Sequence, residues 1–127
     1  MSRSCRLAPV LVLVLLLAGT GTARACDPAL IDAALQQADS HLNFAMRAGD
    51  LESARLNLRR VAHAMGDAEA QLISCNCQSA PYEAASAAAE ARRAAGAQEF
   101  ADLASSVEAT VSAFQLTLLA IDYDLCR

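Results

Sequence analysis

The residues of this sequence whose types and spacing could do chemistry are four of its five cysteines, Cys26, Cys75, Cys77 and Cys126; the fifth, Cys5, lies in the N-terminal segment that we expect to be removed. Cys75 and Cys77 stand either side of one asparagine in the stretch SCNCQSAP, and the other two lie far away toward either end of the chain. Thiols brought together in a fold can form disulfides, bind a metal ion or take part in redox exchange. The spacing by itself leaves all three uses open.

The first 25 residues have the composition of a secretory signal peptide. Arg3 and Arg6 form a basic n-region, residues 7–18 form an apolar h-region, and residues 23–25 (ARA) form a small-x-small cleavage site. A membrane-spanning helix needs about 20 apolar residues, and this run is shorter, which disfavours the alternative of an uncleaved anchor. We expect residues 1–25 to be removed and a single domain, residues 26–127, to be exported to the periplasm or the extracellular space.

The expected mature segment is small and acidic. Losing 25 of 127 residues leaves 102, and losing three of ten arginines leaves seven against all 14 acidic residues, a formal charge of −7. Such a charge repels nucleic acid and anionic membranes. The sequence contains no lysine, which excludes Schiff-base chemistry and a P-loop. We expect no nucleic-acid partner and no membrane span in the mature chain.

Apolar residues at alternating steps of four and three predict two antiparallel helices at the start of this domain. Asp27-Pro28 has the residue types of an N-cap and a first helical position, so helix 1 is expected over about residues 28–48. Gly49-Asp50 is a short link to helix 2. The predicted seams are Ile31, Leu35, Ala38, Leu42 and Ala45 in helix 1, and Leu51, Ala54, Leu58, Val61, Met65, Ala68 and Leu72 in helix 2.

The second half of the domain is predicted to repeat this arrangement. Helix 3 starts at about Tyr82 and is rich in alanine, and Gly96 decides whether it continues into the final helix. The stretches MRAGDLESARL (46–56) and RRAAGAQEFADL (92–103) look alike, which favours a turn. The predicted seam of the final helix is Phe100, Leu103, Val107, Val111, Phe114, Leu118, Ile121 and Leu125.

The fold class predicted from these elements is all-α, a small antiparallel up-down-up-down four-helix bundle made of two helical hairpins. The fallback is a fold of three long helices. An unbroken helix over residues 82–125 would be roughly 65 Å long and would place Cys126 far from Cys77, whereas a disulfide needs Cα atoms within about 7 Å. The fallback would therefore leave Cys126 unpaired or bonded to another molecule.

In the four-helix bundle all four cysteines gather at one end, and an even number in a small exported domain favours disulfides. We predict two disulfides that tie both termini to the central loop. Two pairings stay open: Cys26–Cys75 with Cys77–Cys126, or Cys26–Cys77 with Cys75–Cys126. The third pairing, Cys26–Cys126 with Cys75–Cys77, would close a strained ring.

Histidine-based and catalytic sites are not expected. His41 and His63 lie on facing helices but roughly 9 Å apart along the axis, and the chain lacks the motifs of haem attachment and di-iron bundles. The run Asp39-Ser40-His41 has the residue types of a hydrolase triad, yet consecutive side chains on a helix do not meet. We predict no catalytic residue, no cofactor and no metal site, so the protein is not expected to be an enzyme.

The remaining charged clusters are interpreted as solvent-exposed helix surface. They are Arg47, Arg55, Arg59 and Arg60 around the first hairpin, and Asp122 and Asp124 near the C-terminus.

These observations favour an exported helical bundle that acts as a non-enzymatic binding or structural module, with an unidentified protein or small molecule as its partner. Two alternatives stay open. The first is a thiol-based metal-binding or redox protein that uses Cys75 and Cys77. The second is a lipid-anchored envelope protein, since Cys26 would be the first residue of the mature chain.

Overall fold

The computed structural model describes residues 26–124 and Cys126, and the regular structure in this part of the chain is entirely α-helical. The four helices are α1 (Pro28–Arg47), α2 (Leu51–Ser74), α3 (Ala80–Ala95) and α4 (Phe100–Asp124). The third helix ends just before Gly96 and a separate helix begins at Phe100. The four-helix bundle of two hairpins is therefore confirmed, and the three-helix fallback is excluded. The predicted signal peptide lies outside the described residues.

The first two helices begin at aspartate caps. The side chain of Asp27 accepts a hydrogen bond from the backbone N–H of Ala29 at 3.0 Å, and Pro28 follows it at the first helical position. Asp50 accepts from the backbone N–H of Ser53 at 2.7 Å and from the Ser53 hydroxyl at 2.8 Å. These two bonds hold the pKa of Asp50 below its usual range. Both caps satisfy backbone donors that have no partner within the helix.

A heptad pattern of buried residues runs through every helix and builds the core. The predicted seam of α1 is buried throughout, and that of α2 is buried from Ala54 onward, with Leu51 partly exposed. Steps of four and three keep such positions on one helix face, which lets facing helices interlock side by side. The corresponding buried positions are Ala80, Ala84, Ala87, Ala91 and Ala94 in α3, and Leu103, Val107, Thr110, Phe114, Thr117 and Ile121 in α4.

The seam of α4 differs from the prediction at three positions, Phe100, Val111 and Leu118. Thr110 and Thr117 are fully buried, whereas Val111 and Leu118 are only partly buried and Phe100 is 50% exposed. Each threonine hydroxyl donates a hydrogen bond to the carbonyl one turn earlier, at 2.9 Å. The polar group is therefore satisfied within the helix, and the methyl group remains available for packing.

Close backbone approaches join consecutive helices: α1 with α2, α2 with α3, and α3 with α4. At the two interfaces of α3, with α2 and with α4, the alanines of α3 make this close approach possible, because small side chains let helix axes approach closely. The helix α3 has 16 residues and α4 has 25. At 1.5 Å per residue α4 is therefore about 13.5 Å longer than α3. The C-terminal end of α4 is joined to the N-terminal end of α3 by hydrogen bonds and a disulfide, so the start of α4 extends past the C-terminal end of α3.

Candidate functional site

The four cysteines form two disulfides, Cys26–Cys75 and Cys77–Cys126, with Cα atoms 4.6 Å and 5.6 Å apart. Each bond joins the residues just before the first helix of a hairpin to those just after its second helix. Both bonds close loops of the same sequence separation, 49 residues. Of the two pairings left open by the sequence, the structure has the one in which each hairpin is closed by its own disulfide.

The single residue between Cys75 and Cys77 sends the two cysteines to different partners. Asn76 has a left-handed backbone, with φ of 57°. Its N–H donates to the carbonyl of Ile73 at 3.0 Å, and the N–H of Cys77 donates to the carbonyl of Leu72 at 3.1 Å. These two bonds are a Schellman motif, in which a left-handed residue ends a helix and reverses the chain. Cys75 thus stays with the first hairpin and Cys77 opens the second.

The end of α4 caps the start of α3. Asp124 accepts hydrogen bonds from the backbone N–H of Ala80 at 2.8 Å, from that of Ser79 at 2.9 Å, and from the Ser79 hydroxyl at 2.7 Å. The bond from Ala80, followed by that from the Ser79 hydroxyl, holds the pKa of Asp124 below its usual range. The interpretation of Asp124 as a purely solvated residue was wrong. Its carboxylate closes the second hairpin beside the Cys77–Cys126 bond.

The two histidines lie in separate places. His41 on α1 contacts Asn57 on α2, with 3.2 Å between Nδ1 of the ring and the amide oxygen. His63 is exposed and its Nε2 lies 3.6 Å from the carboxylate of Asp67, one turn along the same helix. Within residues 26–124 and Cys126 no group of three or more histidine, cysteine or acidic side chains is placed to hold a metal ion.

A groove of about 640 Å³ lies between the middle of α2 and the C-terminal end of α3. It is lined by Arg59, Ala62, His63, Gly66 and Asp67 of α2, and by Arg92, Ala95 and Gly96 from the end of α3. Of the arginines interpreted as plain solvated surface, Arg55 instead donates from Nε to the carbonyl of Ala95 at 2.9 Å. Arg59 lines the groove one turn later. No local pattern indicated that Arg92 would line the same groove.

The helix α4 is the most apolar of the four. By length and composition it is the one helix in the described part of the chain that would suit a membrane span, but 39% of its most apolar window is buried inside the protein. Core helices of soluble proteins commonly meet the same criteria, so this is weak evidence for a span. Its exposed apolar side chains are Phe100, Leu116, Leu119 and Tyr123.

The fold and the cysteine pairing define the class of protein: a small all-α bundle of two helical hairpins, each closed by a disulfide. Comparison with protein-family models, with curated proteins and with solved structures finds no match to this chain. The case for function therefore depends on the molecule's own chemistry.

Proposed function

We propose that this protein is an exported, non-enzymatic module that acts by binding or as a structural unit, with an unidentified protein or small molecule as its partner. The observation that carries the proposal is the pair of disulfides, each of which closes one hairpin. Disulfides persist in oxidising compartments outside the cytosol. They agree with the signal peptide expected from residues 1–25 and with removal of that segment before Cys26.

The pairing favours this proposal over the two alternatives. A thiol centre at Cys75 and Cys77 needs free thiolates, but each of these cysteines is bonded to a different partner at the end of a helix. A lipid anchor would use the sulfur of Cys26, which is bonded to Cys75. In both cases the bond that closes a hairpin would have to be given up, and a domain of this size gains much of its stability from such bonds.

The test is an intact mass of the exported protein. The full chain, including residues 1–25, is expressed in a host with a secretory pathway, and the exported fraction is alkylated without reductant and weighed. We expect a chain that starts at Cys26, carries no alkyl group and is shorter than the full sequence by its first 25 residues. A second sample, alkylated after reduction, should gain four groups and serves as the labelling control.

Three results would contradict the proposal. Alkylation of Cys75 and Cys77 without reductant would support the thiol-based alternative. A lipid adduct on Cys26 would place the protein on a membrane surface. Retention of the unprocessed chain inside the cell would remove the argument from an oxidising compartment.

A further inference from the structure

The groove between α2 and α3 contains two arginines that have no acidic partner. The expected mature chain has seven arginines among 14 acidic residues, yet within the described residues neither Arg59 nor Arg92 forms an ion pair. By contrast, Arg93, the neighbour of Arg92, binds Glu90 at 2.9 Å. The two unpaired guanidinium groups are therefore free to bind an anion from solution.

The helix register places these two arginines level with each other. The bond from Arg55 to the carbonyl of Ala95 shows that these two residues of the antiparallel helices α2 and α3 lie near each other. One turn further along α2 is Arg59, about 6 Å from that contact, and almost one turn back along α3 is Arg92, about 4.5 Å from it in the same direction. Both also line the groove, one from each side.

Between the arginines and the polar pair His63 and Asp67, the wall of the groove contains small, apolar residues. Ala62 and Ala95 contribute methyl groups, and Gly66 contributes no side chain, with no atom within 4 Å of where its Cβ would lie. The volume of about 640 Å³ is within the range of about 300 to 1,000 Å³ that small-molecule sites occupy. The space beside the arginines therefore suits a compact apolar group.

We propose that this groove binds a small organic anion, a phosphate or carboxylate group on a compact apolar body, with the anionic group on Arg59 and Arg92. The inference rests on the proposed function, since it names the ligand class of a binding module. Guanidinium groups bind phosphate and carboxylate through paired N–H donors. The apolar body lies along Ala62 and Gly66.

Two neighbouring groups set the direction in which the ligand lies. Arg55 donates a hydrogen bond to the carbonyl of Ala95, and its positive charge offsets the partial negative charge at the C-terminal end of α3. The end of the helix therefore repels an anion bound to Arg92 less strongly. Asp67 lies two turns beyond Arg59 and faces His63. Its carboxylate repels an anionic group at that end of the groove and leaves the arginine end as the place for it.

The test uses the mature, oxidised protein and three probes of similar size: phenyl phosphate, benzoate and the neutral benzyl alcohol. Titration followed by backbone amide NMR shifts gives both the affinity and the residues affected. We expect the anions to shift the amides of residues 59–67 and 92–96, and benzyl alcohol to leave them unchanged. The tighter of the two anions shows whether the groove favours a phosphate or a carboxylate group.

The variants separate a built site from general attraction to positive charge. Arg59→Gln and Arg92→Gln should each weaken binding by about tenfold, the usual effect of losing a charged hydrogen-bond partner. Arg60→Gln is the matched control, because it removes the same charge from the next residue, which does not line the groove; binding should stay within a factor of about two. Gly66→Leu should abolish binding by filling the apolar space.

The proposal is overturned if neither anion shifts the groove amides, if benzyl alcohol binds as tightly as the anions, or if Arg60→Gln weakens binding as much as Arg59→Gln. Those results would leave the proposed function standing as long as the exported protein carries two disulfides. Free thiols in the exported protein would instead remove the proposed function, whatever the probes do.

Discussion

Replacing Gly66 with alanine should stabilise the protein. Gly66 lies well inside α2 (Leu51–Ser74), where glycine costs about 0.5 to 1 kcal/mol relative to alanine. A Cβ at this position would meet no atom within 4 Å, so no steric cost offsets the gain in helix propensity. We expect the free energy of unfolding of Gly66→Ala to rise by about 0.5 to 1 kcal/mol, which for a domain of this size raises the Tm by about 2 to 8 °C.

The assay is thermal unfolding of the oxidised protein, followed by circular dichroism, for the native chain and two variants. Gly96→Ala is the matched control, because there the new Cβ would lie 3.3 Å from the carbonyl oxygen of Arg93 and 3.8 Å from that of Arg92. Its Tm should rise less than that of Gly66→Ala, or fall. The reasoning is refuted if Gly66→Ala does not raise the Tm, or if Gly96→Ala raises it as much.

Three further changes test the cysteine end of the molecule. Asn76→Ala should lower the free energy of unfolding by about 1 kcal/mol in urea denaturation, because a left-handed backbone is unfavourable for alanine. Asn76→Gly should cause no such loss, and equal losses for the two variants would contradict the prediction. The pKa of Asp124 lies below its ordinary value of 3.8, because the N–H of Ala80 and the hydroxyl of Ser79 stabilise the carboxylate. Its contribution to stability is thus present above that value and lost as the pH falls through the lower, folded-state pKa. Asp124→Ala should lower the Tm at neutral pH and lose less stability on acidification than the native chain; an unchanged acid response would count against the cap. Removing either disulfide by paired Cys→Ala substitution should lower the free energy of unfolding in urea by on the order of 4 kcal/mol through loop entropy. The two losses should be nearly equal, since both disulfides have a sequence separation of 49 residues. A large difference between the two losses would contradict this account of the two bonds.

Local signals were enough to predict the helices and the first hairpin. Asp27 before Pro28, and Asp50 after Gly49, are caps that act on residues two or three positions away, so their effect can be read along the chain. In α1 and α2 the apolar residues recur in unbroken alternating steps of four and three, and this period predicts the buried face even though the helices also expose large apolar residues such as Phe44 and Leu56.

The face of α4 was harder to choose because apolar residues surround that helix. A rule that picks the more apolar neighbour selects Val111 and Leu118, whereas the core takes Thr110 and Thr117. Strict alternation of four and three, continued from Leu103 and Val107, leads to Thr110 and Thr117. Their hydroxyls are satisfied within the helix. Periodicity was a better guide here than hydrophobicity.

Contacts between distant residues could not be predicted from local patterns. Asp124 reaches Ala80 across 44 positions, and Arg55 reaches Ala95 across 40. Both depend on the register between helices, which follows from the packing of the alanine-rich α3. The choice of disulfide pairing similarly depends on the left-handed backbone of Asn76. Asparagine tolerates this conformation but also adopts others, so the residue type alone does not predict it.

The most direct test of this account is the pairing of the cysteines in the native protein. Trypsin without reductant should give a cluster of three peptides, in which residues 61–92, with both Cys75 and Cys77, are bonded to a peptide that contains Cys26 and to one that contains Cys126. Collisional fragmentation, which cuts amide bonds and largely retains disulfides, then cuts the backbone between Cys75 and Cys77. Two hairpins, each closed by its own disulfide, predict that the N-terminal fragment with Cys75 keeps the Cys26 peptide. A fragment that keeps the Cys126 peptide instead would contradict the account.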